Sequence, residues 1–420
     1  MKFLVIFGFL FAVGSHAKAN EFIPLMKRKP RELIDHPYKA LPNRTAQRLA
    51  KAELLIGESE YDLALDKLNR LEKYLKKRHF ELAQVYRVKG FLYAQQERYH
   101  KAAKYFKKFI DLDVSPKIPT LAVLLSYGQI QGSLKNYKQA IIALQDYISN
   151  SDTPRPEVHV MYAQTLALVK LYPNALATLK KAISLSEVAR EPWYQLQVAL
   201  HYELKHKKSA AKTLLTMINL FPDKKKYWKQ LSGIFMELGE HRFALAVLEL
   251  AHKRKQLTQE NEINQLVSLY LFLDMPYKAA ILLSQSLQNK MLTRTEQNYL
   301  KLADSFIAAQ ELDKALPALK QAALLGGNGN IFLRQGLIYI EKEMWQDAAN
   351  SIQAALSKGG LDEPGFAYLY LGVAHLKLDN LQEARNHFKK AAGFKKSKPQ
   401  AKQWLSYMDE QESQMKMARH

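Results

Sequence analysis

YRVKGFLYAQQERYHKAAKYFKKFI, Tyr86 to Ile110, decides the fold. It carries two apolar stripes on either side of a polar bend. Tyr86, Gly90 and Tyr93 recur at three- to four-residue intervals, and so do Tyr99, Ala102, Phe106 and Ile110, which is the period of one helix face. Two short helices joined by a tight turn are predicted. Gly90 and Ala102 are small where the helices approach, and tyrosines fill the space around them.

The same pattern is rewritten along the chain. A small residue opens each second helix at Ala64, Ala102, Ala140, Ala175, Ala210, Ala244, Ala279, Ala315, Ala348 and Ala384, separated by 38, 38, 35, 35, 34, 35, 36, 33 and 36 residues. Two helices of about fourteen residues and two turns take that length. An aromatic or apolar residue usually stands three places earlier (Tyr61, Tyr99, Tyr137, Tyr172, Leu312, Trp345, Leu381). First helices show their own signature, as in Trp228, Leu231, Ser232 and Phe235, or Tyr368, Leu371, Gly372 and His375. Pro116, Pro154, Pro192, Pro222 and Pro364 fall near the joins, where a helix must stop.

This arrangement resembles the tetratricopeptide-repeat (TPR) family, in which an aromatic, a Leu-Gly pair and a Tyr precede an Ala, an aromatic and a Pro. The resemblance implies an all-α, right-handed superhelical solenoid of about ten helix–turn–helix repeats over residues 44–394. Each repeat would bury its apolar face only by stacking on its neighbours. Residues 395–420 read as a capping helix and basic tail, with Trp404, Leu405 and Met408 on one face from Pro399 to about Glu412. The two opening spacings of 38 predict longer turns. Residues 20–43 carry Pro24, Pro30, Pro37 and Pro42, a density that forbids a long helix and predicts an extended arm along the first repeat. Asn43 or Thr45 is placed to cap the first helix.

Residues 1–19 have a secretory layout. Lys2 precedes a twelve-residue apolar run, Phe3–Gly14, and Ala17-Lys18-Ala19 sets small residues before a cut between Ala19 and Asn20. The run is short for a spanning helix; an uncleaved anchor is the competing reading. The chain has no cysteine, which removes disulfides, thiol nucleophiles and thiolate metal sites. The periplasm of a Gram-negative bacterium is the expected address.

The chain is strongly basic. With 62 Lys and Arg against 40 Asp and Glu, removal of Lys2 and Lys18 leaves a mature charge of +20. The excess clusters at Lys27-Arg28-Lys29, Lys205–Lys208, Lys224-Lys225-Lys226 and Lys253-Arg254-Lys255. Lys389, Lys390, Lys395, Lys396, Lys398 and Lys402 follow with no acid among them. Export argues against nucleic acid as the partner. A solvated surface, anionic lipid headgroups met by the basic tail, acidic envelope polymers and an acidic protein stay open.

Nothing in the sequence calls for catalysis, a metal or a cofactor. The twelve histidines form no HExxH and no pair with ligand spacing; His159, His201 and His375 read as packing residues. Gly326-Gly327-Asn328-Gly329-Asn330 lacks the Lys-Ser/Thr of a phosphate loop and reads as a helix C-cap and inter-repeat turn.

In TPR proteins the inner surface is lined mainly by first helices. Carried over by position, the partner-binding groove would hold Arg87, Gln129, Gln164, Gln195, Tyr202, Lys229, Asn264, Lys301, Asp304 and Arg334. The amides would pair with the backbone of an extended peptide, and the cations would attract acidic side chains or a terminal carboxylate. The carboxylate clamp of chaperone-binding TPR domains is not reproduced. The exported, basic, cysteine-free chain with ten divergent repeats also resembles periplasmic TPR proteins associated with TonB–ExbB–ExbD systems. That resemblance implies a non-enzymatic adaptor for energy transduction to outer-membrane transport. A scaffold for peptidoglycan or outer-membrane assembly machinery, and an enzyme with an unrecognised site, remain as alternatives.

Overall fold

The structure is a computed structural model that describes residues 19–188 and 190–417, with side chains through Gln414. The expected signal peptide lies outside the described residues except for Ala19. All regular structure among them is helical. The chain divides into two compact units, Met1–Pro222 and Asp223–His420.

In the first unit, α1 (Ile23–Met26) precedes five helix pairs: α2 (Asn43–Gly57) with α3 (Tyr61–Tyr74), α4 (His79–Gln95) with α5 (Tyr99–Leu112), α6 (Lys117–Ser133) with α7 (Tyr137–Asn150), α8 (Pro156–Leu168) with α9 (Tyr172–Leu185), and α10 (Glu191–Glu203) with α11 (Lys207–Leu220). The second unit has five more: α12 (Lys225–Glu237) with α13 (His241–Lys253), α14 (Glu260–Phe272) with α15 (Pro276–Gln288), α16 (Glu296–Ala308) with α17 (Leu312–Leu324), α18 (Gly329–Glu341) with α19 (Trp345–Lys358), and α20 (Pro364–Lys377) with α21 (Leu381–Ala392). A last helix, α22 (Lys398–Met417), follows. Each unit is an all-α repeat solenoid.

One register holds all ten pairs. The anchor alanines are fully buried, and twelve residues before each stands the residue of the first helix that faces the crossing: Ala52, Gly90, Gly128, Ala163, Val198, Ser232, Val267, Ala303, Gly336 and Gly372. Sixteen residues after that position comes the large residue it receives: Leu68, Phe106, Leu144, Leu179, Leu214, Leu248, Leu283, Leu319, Ile352 and Phe388, none more than 1% exposed. The closest crossings need glycine. A Cβ on Gly90 would lie 2.4 Å from Phe106 Cδ1, on Gly336 2.4 Å from Ile352 Cγ1, and on Gly372 2.6 Å from Phe388 Cε1.

The turns inside the pairs are equally regular. Five residues before every anchor alanine the backbone is left-handed: Ser59, Glu97, Lys135, Lys170, Lys205, Gly239, Asp274, Gln310, Glu343 and Asp379. The next amide closes back on the helix, as Asn136 N–H to Gln131 O at 2.9 Å and Leu171 N–H to Leu166 O at 2.9 Å, so each first helix ends in a Schellman motif. One of these ten residues is glycine; a side chain at the others costs about 1 kcal/mol. Lys135→Gly and Lys170→Gly are therefore each expected to raise stability by about 0.5–1 kcal/mol, and Gly239→Ala to lower it by a similar amount. Urea midpoints of the three variants test this; a loss of stability in both lysine variants would sink the strain argument.

Three local expectations are corrected. The spacings of 38 come from longer first helices: α4 and α6 have 17 residues, against 13 in α8 and α10, an added helical turn. Neither Asn43 nor Thr45 caps α2, whose N-cap is Pro42 without a side-chain bond; Thr45 is buried and its hydroxyl donates to Glu81 Oε2 at 2.7 Å. The arm lies on the third pair, not the first. Arg28 donates from Nη1 and Nη2 to the two oxygens of Asp146 on α7 (2.7 and 2.9 Å). Asp146 also accepts from the Arg31 N–H at 2.8 Å, and Asn150 bridges Arg31 O and Leu33 N–H. Arg28 finds the Asp146 carboxylate on α7, the Arg31 guanidinium pairs with Asp113 just after α5 at 2.6 Å, and backbone left unpaired by proline finds the Asn150 amide.

At the far end, Met408 and Ala401 of α22 are buried with Phe388, and the Trp404 ring lies parallel to Phe388 at 5.7 Å. Arg385 of α21 holds α22 through Asp409 and Glu412, both at hydrogen-bond distance. No helix among the described residues is long and apolar enough to cross a membrane.

Candidate functional site

The first helices of the first unit build a groove of about 510 Å³ between α6, α8 and α10. It brings together three of the predicted residues, Gln129, Gln164 and Gln195. Gln129 and Gln164 occupy equivalent places in successive pairs, eleven residues before Ala140 and Ala175. Among the described residues their side-chain amides have no hydrogen-bond partner. Gln195 is engaged within its own helix, donating to Glu191 Oε1 at 3.0 Å. The groove's apolar lining comes from Val160, Met161, Leu168 and Trp193. Gly128 and Gly132 on α6 keep one wall low. Arg190 lies over the Trp193 ring at 4.9 Å and pairs with Glu157 at 2.7 Å.

Such a lining suits an extended chain. Two amides one repeat apart each offer a donor and an acceptor to a peptide backbone, and the apolar surface beside them accepts a side chain. The charges at this groove are Glu157 and Arg190, paired with each other, and the Glu191 carboxylate bonded to Gln195. An acidic ligand gains nothing here from an unopposed cation.

The other predicted residues do other work. Arg87 does not line this groove; it borders a cavity of about 130 Å³ with Glu53, Ile56 and Phe91, and pairs with Glu53 of α2 at 3.7 Å. Tyr202 is on α10, exposed and outside the groove. In the second unit the predicted cations tie successive first helices together. Lys229 of α12 meets Glu262 of α14 at 3.5 Å, Lys301 of α16 donates to Asn264 Oδ1 of α14 at 3.4 Å, and Arg334 of α18 pairs with Asp304 of α16. Glu262 is 2% exposed and also accepts from Lys225 at 2.7 Å and from the Thr258 and Gln259 N–H groups that begin α14. Burial opposes its charge, but the Lys225 ammonium and these N–H bonds outweigh burial and hold its carboxyl below the usual range. Lys229, Lys301 and Arg334 are thus inter-repeat ties before they are ligands.

That role had a sequence signal. Glu53 and Arg87, Lys229 and Glu262, and Asp304 and Arg334 are opposite charges about one repeat length apart. The apolar lining was harder to foresee, because Val160, Met161 and Trp193 sit among core positions in sequence. Trp193 is itself only 8% exposed.

His159 and His201 are buried, and burial pushes both imidazoles below their ordinary pKa. His375 stacks on His387 at 5.3 Å and 8°. Among the described residues no group of three or more His, Asp or Glu is arranged to hold a metal ion. The glycine-rich stretch after α17 forms the turn to the next pair. Gly326 has φ +138°, Asn328 caps α18 by accepting from the Asn330 N–H at 3.0 Å, and the Gly329 N–H donates to Gly359 O at 2.8 Å.

Tetratricopeptide-repeat family models match residues 83–113, which take in α5 and most of α4, and residues 333–401, from α18 to the start of α22. No curated protein matches the sequence. Similar solved structures include a tetratricopeptide repeat protein from Parabacteroides merdae ATCC 43184, 12% identical over 60% of this chain and 98% of that one, with a TM-score of 0.31. MamA from Desulfovibrio magneticus RS-1 is 15% identical over 44% of this chain and 99% of that one, with a TM-score of 0.36. YrrB, described as a TPR protein with an unusual peptide-binding site, is 16% identical over 47% and 99%, with a TM-score of 0.35. Each unit thus has one segment that matches a tetratricopeptide-repeat model, and those segments share the helix-pair register found in all ten pairs.

Proposed function

We propose that this protein is a non-enzymatic scaffold that holds an extended polypeptide segment in the groove of α6, α8 and α10. The observation that carries the reading is the pair of unbonded amides, Gln129 and Gln164, set one repeat apart beside the apolar surface of Met161, Leu168 and Trp193. Proteins of this repeat family generally act as protein-interaction scaffolds. The segment is read as extended, with an apolar side chain beside the amides. The acidic character expected of it is not carried to this groove, because the cations invoked for it have internal partners.

The signal-like layout of residues 1–19 supports a periplasmic address. The combination of export, basic charge and absent cysteine supports an adaptor for a TonB–ExbB–ExbD-type complex serving outer-membrane transport. A scaffold for peptidoglycan or outer-membrane assembly machinery is the alternative within the same class.

A photo-crosslinking residue placed at Leu168 in cells is expected to trap a discrete partner, and the double variant Gln129→Ala/Gln164→Ala to cut that trapping about tenfold or more, as two lost hydrogen bonds imply. Its helix content should stay unchanged. Inner-membrane energy-transducing components among the trapped proteins favour the adaptor, and wall or outer-membrane assembly enzymes favour the alternative. Trapping that ignores the double substitution refutes the groove reading.

A further inference from the structure

The end of the second unit carries a second surface, unrelated to the groove. From Ala384 to Met408 the chain has no Asp or Glu. Within that span Lys389, Lys390, Lys395, Lys396, Lys398 and Lys402 are exposed around the α21–α22 turn. Lys396 pairs with Glu363, and the Lys390 ammonium lies 5.6 Å over the Tyr368 ring. Among the described residues Lys389, Lys390, Lys395, Lys398 and Lys402 have no ion-pair partner.

Phe394 stands among these lysines and is 39% exposed, its inner side against Tyr368 at a ring distance of 6.1 Å. The turn that presents it is fixed. Ser397 is fully buried and its hydroxyl donates to Ala391 O at 2.7 Å, while the Lys398 N–H donates to Phe394 O at 2.9 Å. Gly365 of α20 packs so closely beneath that a Cβ there would lie 2.3 Å from Ser397 Oγ and 2.6 Å from Phe394 Cβ. Little ordering of the turn's backbone is left for binding to cost.

We propose that this turn is a docking surface for an anionic bilayer, with Phe394 entering the interface and the lysines facing the headgroups. Three features select a lipid surface over other polyanions. The unpaired cations are all lysines, compact point charges suited to a diffuse field of headgroups. The one arginine of the span, Arg385, whose planar fork would read an individual phosphate or carboxylate, is committed to Asp409 and Glu412. An exposed aromatic ring in the middle of a lysine cluster matches the layered polarity of a membrane interface, which a solvated acidic chain lacks.

The test is sedimentation of the full chain with vesicles of phosphatidylcholine alone and with roughly one-third phosphatidylserine, at about 0.1 M salt. The neutral vesicles subtract any binding by the apolar run Phe3–Gly14. Anionic vesicles are expected to bind the chain in excess over neutral ones. Lys395→Glu/Lys398→Glu/Lys402→Glu should lower that excess about a hundredfold, at about 1 kcal/mol for each lysine removed, and Phe394→Ala about fivefold, with helix content unchanged. Lys73→Glu/Lys76→Glu/Lys77→Glu, the same charge change on the first unit, should lower it less than about threefold, since these lysines are not part of the turn that carries Phe394. Equal loss in both triple variants would reduce the effect to net charge and overturn the proposal. So would an excess that survives reversal at the turn. An acidic peptide or DNA duplex that binds the turn as tightly as the vesicles, with Phe394→Ala without effect, would reassign the surface to a solvated polyanion.

Discussion

Phe106→Ala is expected to lower the stability of the N-terminal unit by about 3–5 kcal/mol. Phe106 is fully buried between α4 and α5, and its ring meets Phe91 edge-on at 5.0 Å. Its face lies where a Cβ on Gly90 would come within 2.4 Å, so at the crossing itself Gly90 has no side chain to fill the vacated space. The companion change is informative. Gly90→Ala alone forces a methyl against the ring and should cost about 1–3 kcal/mol. In the double variant that methyl enters the space the ring has left. The combined loss should then fall short of the sum by more than about 0.5 kcal/mol. Urea unfolding followed by circular dichroism, with hydrogen exchange at the α4 and α5 amides, measures the cycle. Strict additivity would show that Gly90 and Phe106 do not share the contact that sets the crossing.

Glu72→Ala is expected to cost about 3 kcal/mol at neutral pH, and Lys89→Met much less. Lys89 of α4 is fully buried; its ammonium donates to Asn69 Oδ1 at 2.6 Å and to Glu72 Oε2, and lies 5.0 Å from the Tyr105 ring centre. Lys108 adds a second cation 3.4 Å from Glu72. Burial pushes the Lys89 ammonium below the usual lysine range, partly offset by its bond to Glu72. Burial also works against the Glu72 charge, but the two lysines outweigh it and keep the carboxyl below the usual carboxylate range. The Tyr105 hydroxyl is pushed up to about 12, mainly by burial. Removing the carboxylate leaves a buried cation beside a second one, which is far costlier than removing the buried cation itself.

The pH dependence separates this from lost packing. With the Lys89 pKa depressed in the folded chain, the unfolded chain holds more protons between that depressed value and the unfolded lysine pKa near 10.4. Stability then rises with pH across that window. Loss of Glu72 widens the window, so the gap between wild type and Glu72→Ala should narrow as pH is raised from about 7 to about 10. A gap that stays constant would mean that Lys89 is not the group left unpaired.

The recurring small residue and alanine were enough to specify helix pairs, because the period of a helix face and the close approach of two helices are local requirements written in residue size. Gly90 and Ala102 announced a crossing, and Ala64 through Ala384 announced nine more. The turns were less legible. A left-handed residue stands five before every anchor, yet most are Lys, Glu, Ser or Gln, types that carry little signal for that conformation. Their geometry is imposed by the two helices that close upon them.

First-helix residues could be nominated as ligands by position alone, and three of them, Gln129, Gln164 and Gln195, do converge on one groove. Which nominees remain available was decided by neighbours one repeat away in sequence. Glu262 claims Lys229, Asp304 claims Arg334 and Glu53 claims Arg87, while the side-chain amides of Gln129 and Gln164 have no hydrogen-bond partner among the described residues. The sequence by itself determined the helix pair, its length and its number. Only the tertiary structure decided where the arm lies and which polar groups are spent on holding the stack. Those outcomes depend on contacts between residues 30 to 120 positions apart, and it is packing, not local spacing, that brings them within hydrogen-bond reach.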